Sequence, residues 1–370
     1  MISQPDPTGD APLPPNANHS MVMRRCLALA ARGAGQTTPN PMVGAVIVNN
    51  GRIVGEGFHP QVGQPHAEVF ALQAAADAAQ GATLYVNLEP CNHIGRTPPC
   101  TEAVLQAGIT TVVIGMRDPN PKASGGIERL RAAGVEVITN IETAACERLN
   151  EAFIRRIRHH QPFSILKYAM TLDGKIATDT GHSAWVTSPA SRRRVHQLRS
   201  QCDAVVVGGN TVRQDNPQLT SHGVSHHNPL RVVMSRGLDL PTSANLWQTE
   251  TAPTVVFTEA CTPPSSLPSH VEVVSLPKLT PQAVLDNLYQ RGLSTVLWEC
   301  GGTLAAAALR QQVIQKIWAF VAPKLVGGSQ APTPIGDMGV TEMSAALALR
   351  DTELEKIGPD WLIQGYLIHS

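Results

Sequence analysis

The 370-residue chain has no excess of charge of either sign: Lys plus Arg number 29, and Asp plus Glu number 29. A protein that binds a nucleic-acid backbone or an acidic membrane surface through its overall charge needs a surplus of cations, so neither partner is expected. Long apolar runs are missing too. No window approaches eighteen consecutive apolar residues and the opening residues do not read as a signal peptide, which argues against membrane insertion and export. Cysteine is scarce and odd in number, at seven. That does not make a disulfide framework, and a reducing cytoplasm is the compartment expected. What is plentiful is ordinary core material, 42% apolar. At this length two domains are the natural division.

Two of the cysteines have a more specific reading. His66-Ala67-Glu68 is followed by Pro90-Cys91 and, after eight intervening residues, by Cys100. One imidazole and two thiolates leave a tetrahedral zinc ion with one open position, which marks a catalytic rather than a structural centre. Water bound at such a position ionises near neutral pH. Glu68 stands two residues beyond His66, a spacing that puts side chains on opposite faces of a regular helix. Both can face one pocket only in the first turn, and Pro65 supports a helix beginning there. A His-x-Glu with a downstream Pro-Cys and a further cysteine is a signature of zinc deaminases acting on bases, with the Glu carrying protons. The alternatives are two unrelated buried cysteines or a closed structural zinc site, for which His93 is the one nearby fourth ligand. The remaining cysteines, Cys26, Cys146, Cys202, Cys261 and Cys300, fall in apolar patterns.

Along the chain, residues 1–18 are proline-rich and read as a disordered tail. Ser20 is a candidate cap for a helix bearing Val22, Cys26 and Leu29. Asn50-Gly51 marks a tight hairpin, with Asn40 and His59 bracketing its strands. Strands then alternate with helices to about residue 147, which implies a sheet covered on both faces. A charged helix from Glu147 to His160 reads as a solvated linker, with a phosphate patch as the lesser alternative. A new α/β unit opens at Phe163, with strands expected at 163–170, 204–207, 230–234, 254–258, 271–275, 295–299, 317–321 and 360–368. The Pro- and Ser-rich stretch 261–268 reads as a surface loop. Two strands of this unit end in glycine turns, Gly208-Gly209-Asn210-Thr211 and Gly301-Gly302-Thr303. Backbone amides at such turns cradle phosphate. Arg192, Arg193, Arg194 and Arg199 lie on a helix nearby, one or two of them candidates for a phosphate monoester.

Over residues 20–370 the chain resembles the bifunctional riboflavin-biosynthesis deaminase/reductases. The matching pieces are Asn40-Pro41-Met42-Val43-Gly44, His66-Ala67-Glu68, Leu88-Glu89-Pro90-Cys91 through Gly95-Arg96-Thr97-Pro98-Pro99-Cys100, Asp118-Pro119-Asn120-Pro121, Lys167 to Ala177, Trp185-Val186-Thr187-Ser188, Val207-Gly208 to Thr211, Asp215-Asn216-Pro217 to Leu219-Thr220, Glu299-Cys300-Gly301-Gly302 and Ala322-Pro323-Lys324. The eight-residue gap between the cysteines, where most cytidine-type deaminases have two, separates this family from nucleoside, tRNA and DNA editing enzymes.

The resemblance implies a cytidine-deaminase-like three-layer α/β/α domain over 19–147, a linker helix over 148–162 and a dihydrofolate-reductase-like α/β domain over 163–370. It implies deamination of 2,5-diamino-6-(5-phosphoribosylamino)pyrimidin-4(3H)-one, then NADPH-dependent reduction of the ribosyl chain of the resulting uracil to ribityl. By motif, His66, Cys91 and Cys100 would bind Zn²⁺ with Glu68 as proton shuttle, and Asn40, His59, Arg96, Asp118 and Asn120 would hold the first substrate. Lys167, Thr187, Arg199, Asp215, Leu219, His222 and Glu299 would contact the second substrate, and Gly208, Thr211, Gly301, Gly302 and Thr303 would face NADPH. A homo-oligomer, dimer or tetramer, goes with the family. Three departures stand out: a shortened loop at Lys122–Ile127, Ser235 in place of a strand-ending aspartate, and His222 where the family has arginine. The last motivates a rival reading, a deaminase whose second domain only binds nucleotide. An RNA-binding protein using Arg155 to His160 is a rival of another class, which the neutral charge disfavours.

Overall fold

The protein is described by a computed structural model over residues 18–94, 98–260 and 267–368. The expected tail up to residue 17, Arg96, Cys261 and most of the 261–268 loop lie outside the described residues. The chain forms two compact units that divide between His160 and Gln161.

The first unit begins with α1 (His19–Ala30). Its cap is Asn18, whose side-chain oxygen accepts the Met21 amide at 3.1 Å, and Ser20 lies inside the helix. There follow β1 (Gly44–Asn49), β2 (Arg52–Phe58), α2 (Ala67–Ala75), β3 (Thr83–Leu88), α3 (Cys100–Gln106), β4 (Thr111–Met116), α4 (Gly126–Ala132) and β5 (Glu136–Ile138). The strands form one sheet in the order β2-β1-β3-β4-β5. Its β2-β1-β3 half is antiparallel and its β3-β4-β5 half parallel. Asn50 and Gly51 adopt φ of 48° and 72°, the left-handed pair that a two-residue hairpin needs.

Both faces are covered, and two glycines show how closely. A methyl at Gly44 would run into the backbone of α1 at Cys26, whereas one at Gly57 would come within 2.5 Å of the Ala67 oxygen and 2.6 Å of the Ala71 nitrogen in α2. Gly57 pairs with Ala45, the neighbour of Gly44, so α1 and α2 lie on opposite faces. Val46, Ile47, Leu84, Val86, Val113 and Ile114 fill the core between the layers. The single charged helix expected over 147–160 is two helices, α5 (Thr143–Leu149) and α6 (Glu151–His159), meeting at Asn150. Asn150 is buried and its side chain binds the Met42 amide and carbonyl.

The second unit comprises β6 (Phe163–Thr171), α7 (Pro189–Arg199), β7 (Ala204–Gly208), α8 (Gly209–Asp215), β8 (Leu230–Met234), β9 (Thr254–Thr258), β10 (Glu272–Ser275), α9 (Pro281–Gln290), β11 (Thr295–Trp298), α10 (Gly302–Arg310), β12 (Lys316–Ala322), β13 (Leu349–Ile357) and β14 (Asp360–Leu367). Nine strands make one sheet in the order β10-β9-β8-β7-β11-β6-β12-β14-β13. It is parallel from β10 to β12, with β14 and β13 added antiparallel. The parallel strands are continuous buried runs, as a sheet packed on both faces requires. Trp298, Val206, Val232 and Val255 pack with Leu285 and Leu288 of α9 and Ala305 and Leu309 of α10. β13 was not expected from the sequence. The central strands β7, β11 and β6 all point the same way, so their carboxyl ends open on one edge, where ligands of α/β sheets bind.

Candidate active sites

The end of β2, the start of α2 and the start of α3 meet in the first unit. His66 is the N-cap of α2, in extended conformation, and Glu68 is the second residue of the helix. Cys91 follows β3 and Cys100 opens α3. The His66 Nδ1 atom lies 3.2 Å from Cys100 Sγ and 3.6 Å from Cys91 Sγ, and one ligand atom from each of the three lies within 4.8 Å of the others. One imidazole and two thiols at this spacing suit zinc in donor type and number. His93, the candidate fourth ligand of a closed site, is exposed and outside this group. A hydrogen bond from the Cys100 thiol, against the opposing effect of burial and with help from His66, draws Cys91 down to about 4; the same bond pushes Cys100 up. The pair therefore holds a thiolate in place.

Glu68 is 3% exposed and its Oε2 has no hydrogen-bond partner. Burial lifts its carboxyl to about 7, with the His66 imidazole pulling the other way. A buried oxygen left without a partner in a protein interior implies a partner that arrives with the ligand. His59 stands edge-on to His66, ring centroids 5.6 Å apart. Its Nδ1 donates to the Pro65 carbonyl at 3.0 Å, leaving Nε2 to accept from Asn40 Nδ2 at 3.2 Å. Burial keeps this imidazole below its ordinary pKa, against the Pro65 bond. On the other side Glu89, buried beside Cys91, accepts three main-chain amides. Gly125 and Ile127 donate to Oε1 and Asp118 to Oε2, each at 3.1 Å. Asp118 in turn accepts the Asn120 amide at 2.8 Å, and burial lifts its carboxyl to about 6 against that bond.

In the second unit Leu166 of β6 pairs with Trp298, so Lys167 lies level with Glu299 just past the end of β11. Arg199, the last residue of α7, grips Glu299 with two bonds, Nε to Oε1 at 2.6 Å and Nη2 to Oε2 at 3.1 Å. Lys167 Nζ stands 3.5 Å from Glu299 Oε2. Burial works to raise the Glu299 carboxyl, but the two cations outweigh it and hold it at about 2. Burial lowers Lys167, with Glu299 opposing. Arg199 also donates from Nη1 to the Thr220 carbonyl at 3.1 Å, which ties in the loop holding Leu219 and His222. Leu219 is buried with φ of 55°. Thr187 precedes the cap of α7, and Asp215 closes α8, where it accepts from Ser183 at 3.4 Å. Gly208 caps α8 and Gly301 caps α10, at the carboxyl ends of the paired strands β7 and β11. Thr211 and Thr303 lie in the first turns that follow. Gly301 has open space around it, whereas Gly302 packs against the backbone of Thr333 and Gly336. Arg192 lies over Trp185 and Arg194 over Trp318, so these cations are used in packing.

Residues 16–116 match the cytidine and deoxycytidylate deaminase zinc-binding region, and residues 162–363 match the RibD C-terminal domain. The riboflavin biosynthesis protein RibD of Synechocystis is 61% identical over 351 residues, covering 93% of this chain and 95% of that protein. The chain belongs to the RibD family. Among other members, a chloroplastic riboflavin biosynthesis protein PYRR of Arabidopsis thaliana is 44% identical over 93% of this chain and 60% of its own length. The crystal structure of a diaminohydroxyphosphoribosylaminopyrimidine deaminase/5-amino-6-(5-phosphoribosylamino)uracil reductase from Thermotoga maritima superposes with a TM-score of 0.87 at 38% identity, covering 95% of this chain and 99% of that one. As a RibD-family protein the chain is a bifunctional enzyme of riboflavin biosynthesis, deaminase and reductase in one polypeptide, with zinc and NADPH as cofactors.

The structure brings His66, Glu68, Cys91 and Cys100 of this RibD-family chain into one cluster, with Asn40 and His59 in a hydrogen-bonded line beside it. It brings Lys167, Arg199 and Glu299 into another. Arg96 lies outside the described residues. Four residues without an assigned role turn out to shape these clusters. Asn87 and Asn150 both bind the backbone around Met42, next to the Asn40 loop, Glu89 carries the Asp118 loop, and His196 stacks on His222. Glu89 alone had a visible signal, its place in the Leu88–Cys91 motif.

Proposed function

We propose that His66, Cys91 and Cys100 are the zinc ligands of the deaminase, with Glu68 as the group that moves protons. The observation that supports this most is Glu68 itself, a buried carboxylate with a free Oε2 placed by the first turn of α2 beside a three-donor cluster. Zinc, when bound, supplies a Lewis acid and makes water acidic near neutral pH. Glu68 takes a proton at Oε2 and delivers it to the departing 2-amino group, which leaves as ammonia. Asn40 and the Asn40-facing edge of His59 hold the pyrimidine on one side, and Asp118 and Asn120 hold it on the other on the loop that Glu89 fixes. Arg96 is taken as a phosphate contact.

For the reductase we propose that Lys167, Thr187, Arg199, Asp215, Leu219, His222 and Glu299 form the substrate wall. Gly208, Thr211, Gly301, Gly302 and Thr303 line the cofactor side. NADPH, when bound, supplies hydride to the ribosyl carbon, and the protein's share is to position the two partners. Residues 19–147 and 163–370 are taken as the two working domains, with 148–162 as the connection.

We further propose a homo-oligomer located in the cytoplasm. β13 is a nine-residue edge strand exposed along almost all its length. Leu354 pairs with Ile363, two places from Trp361, and these apolar residues are 64%, 36% and 40% exposed. A long edge with an apolar strip is a pairing surface unless something covers it. Cys26, Cys146 and Cys202 are buried free thiols, in keeping with a reducing compartment.

The deciding experiment is Glu68→Gln. The variant is expected to keep stoichiometric zinc while ammonia release falls by about 10²–10⁴-fold. Loss of the metal would make Glu68 a ligand and sink the assignment.

A further inference from the structure

The cap of α7 is completed from the far end of the chain. Ser188 is the N-cap and its hydroxyl oxygen accepts the Ser191 amide at 3.3 Å, but the amide of Ser188 itself still needs an acceptor. In a capping box that acceptor is a Glu or Gln at the third helical position. Here the position holds Ser191, which donates its own hydroxyl instead. Asp360 Oδ2 takes the Ser188 amide at 2.8 Å and the Ser191 hydroxyl at 2.6 Å, across 172 and 169 residues of sequence. The carboxylate is buried, with Asp360 2% exposed.

The same peptide unit is held from its other side. The Thr187 carbonyl accepts from Arg192 Nη1 at 2.8 Å, so both polar atoms of the peptide joining Thr187 to Ser188 are bound by charged side chains. Arg192 belongs to α7 and moves with it, whereas Asp360 belongs to the sheet. It opens β14 after the two-residue turn Gly358-Pro359, paired with Ile357 of β13. A methyl at Gly358 would lie 3.6 Å from the Ala190 side chain, so this turn rests on the first turn of α7. Trp361, the next residue, pairs with Val321, and Val321 pairs with Met170, three residues beyond Lys167 on β6. A negative charge at a helix start is favourable in itself, but a carboxylate at position 191 would supply that locally. The remote acceptor adds a fixed register between Thr187 and the strand that carries Lys167.

We propose that Asp360 is a positioning residue of the reductase, which sets Thr187 at the place where its side chain meets the second substrate. This rests on the reading of Thr187 as part of the substrate wall. Asp360 touches no part of the glycine turns at Gly208 and Gly301, which start α8 and α10, and no part of the zinc cluster. Loosening it therefore weakens one ligand selectively. Hydrogen bonds to a charged acceptor are about twice as strong as those to a neutral one, so an amide of the same size at position 360 holds the Thr187–Ser188 peptide less firmly.

The test measures NADPH oxidation and ammonia release by the full-length zinc-loaded protein. Asp360→Asn is expected to raise KM for 5-amino-6-(5-phosphoribosylamino)uracil by about 3–10-fold, and Asp360→Ala, which removes the acceptor, by about 10–100-fold. The kcat of reduction, the KM for NADPH and the rate of ammonia release should stay within about twofold. Thr187→Val is expected to raise the same substrate KM about 5–10-fold in the unaltered protein yet add less than about twofold in Asp360→Asn, because a hydroxyl already out of place has little left to lose. A residue that only caps the helix would lower the unfolding midpoint and leave these ratios alone. An unchanged substrate KM in the Asp360 variants, or effects that simply multiply in the double variant, would overturn the proposal. So would a KM for NADPH that rises in step with that for the substrate, the mark of general loosening. Failure of the underlying reading looks different: Thr187→Val then leaves the substrate KM of the unaltered protein unchanged, and the proposal falls with it.

Discussion

Glu299 occupies about the least forgiving position in the second unit. Its side chain is 8% exposed and among the described residues it alone pairs with both Arg199 and Lys167. Replacing it with Gln leaves two buried cations facing each other, an arrangement that costs about 3–5 kcal/mol when one partner of a buried pair is lost. Glu299→Gln is therefore expected to lower the unfolding midpoint of this half and, because the substrate contacts proposed for it go with it, to abolish NADPH oxidation. The pH dependence has a definite sign. The folded carboxyl titrates at about 2 and an unfolded one at about 4.3. The stabilisation is thus complete above the unfolded value and is lost as pH falls towards the folded one. Thermal unfolding followed from neutral pH to about pH 2 should show the two proteins converging as acid is added. A gap of constant size would mean that Glu299 stabilises by shape and not by charge.

At the scale of elements, the zinc centre depends on how closely α2 can lie on β2, and that closeness rests on Gly57. A methyl there meets backbone atoms at 2.5 and 2.6 Å, which no side-chain adjustment relieves. Gly57→Ala is expected to push α2 outward, cost about 1–3 kcal/mol and lower zinc affinity, read by competition with a chelator. Gly51→Ala is the control. It has nothing within 4 Å but sits at φ 72°, so it should cost about 1–2 kcal/mol of strain and leave the metal alone. Most of the elements were legible because their apolar positions follow the strand or helix period, as in Ala204–Val207 and Pro281–Arg291. β13 was not, since Leu-Arg-Asp-Thr-Glu-Leu-Glu-Lys-Ile has almost no buried position to give it a pattern. The proposed zinc residues were legible because their types and motif, His-x-Glu with a later Pro-Cys and a further Cys, announce a metal chemistry even though His66 lies 25 and 34 residues from the cysteines. Glu89 was visible only as part of the Leu88–Cys91 motif and His196 not at all, because their partners are brought in by the fold, the amides of Glu89 from 29 to 38 residues away.

Considered whole, the molecule carries two sheets of different character. One edge of the nine-stranded sheet is β13, exposed along almost all its length and carrying the Leu354–Ile363 strip. Sedimentation should find an assembly larger than one chain, and Leu354→Lys should shift it towards the single chain without loss of zinc. A monomer at all concentrations in the unaltered protein would remove the oligomer from the proposal.

The strand order of that sheet also has a consequence for how the protein is made. β6 is the first strand of the second unit to leave the ribosome, yet both of its neighbours, β11 and β12, lie more than a hundred residues later. The first sheet is complete once residue 138 has emerged, but β6 keeps both edges open until residue 298 has followed and one of them until residue 322. Through most of translation the nascent chain pairs a finished deaminase fold with an unsealed strand, which makes the late stretch of synthesis the period in which chaperones matter most to this enzyme.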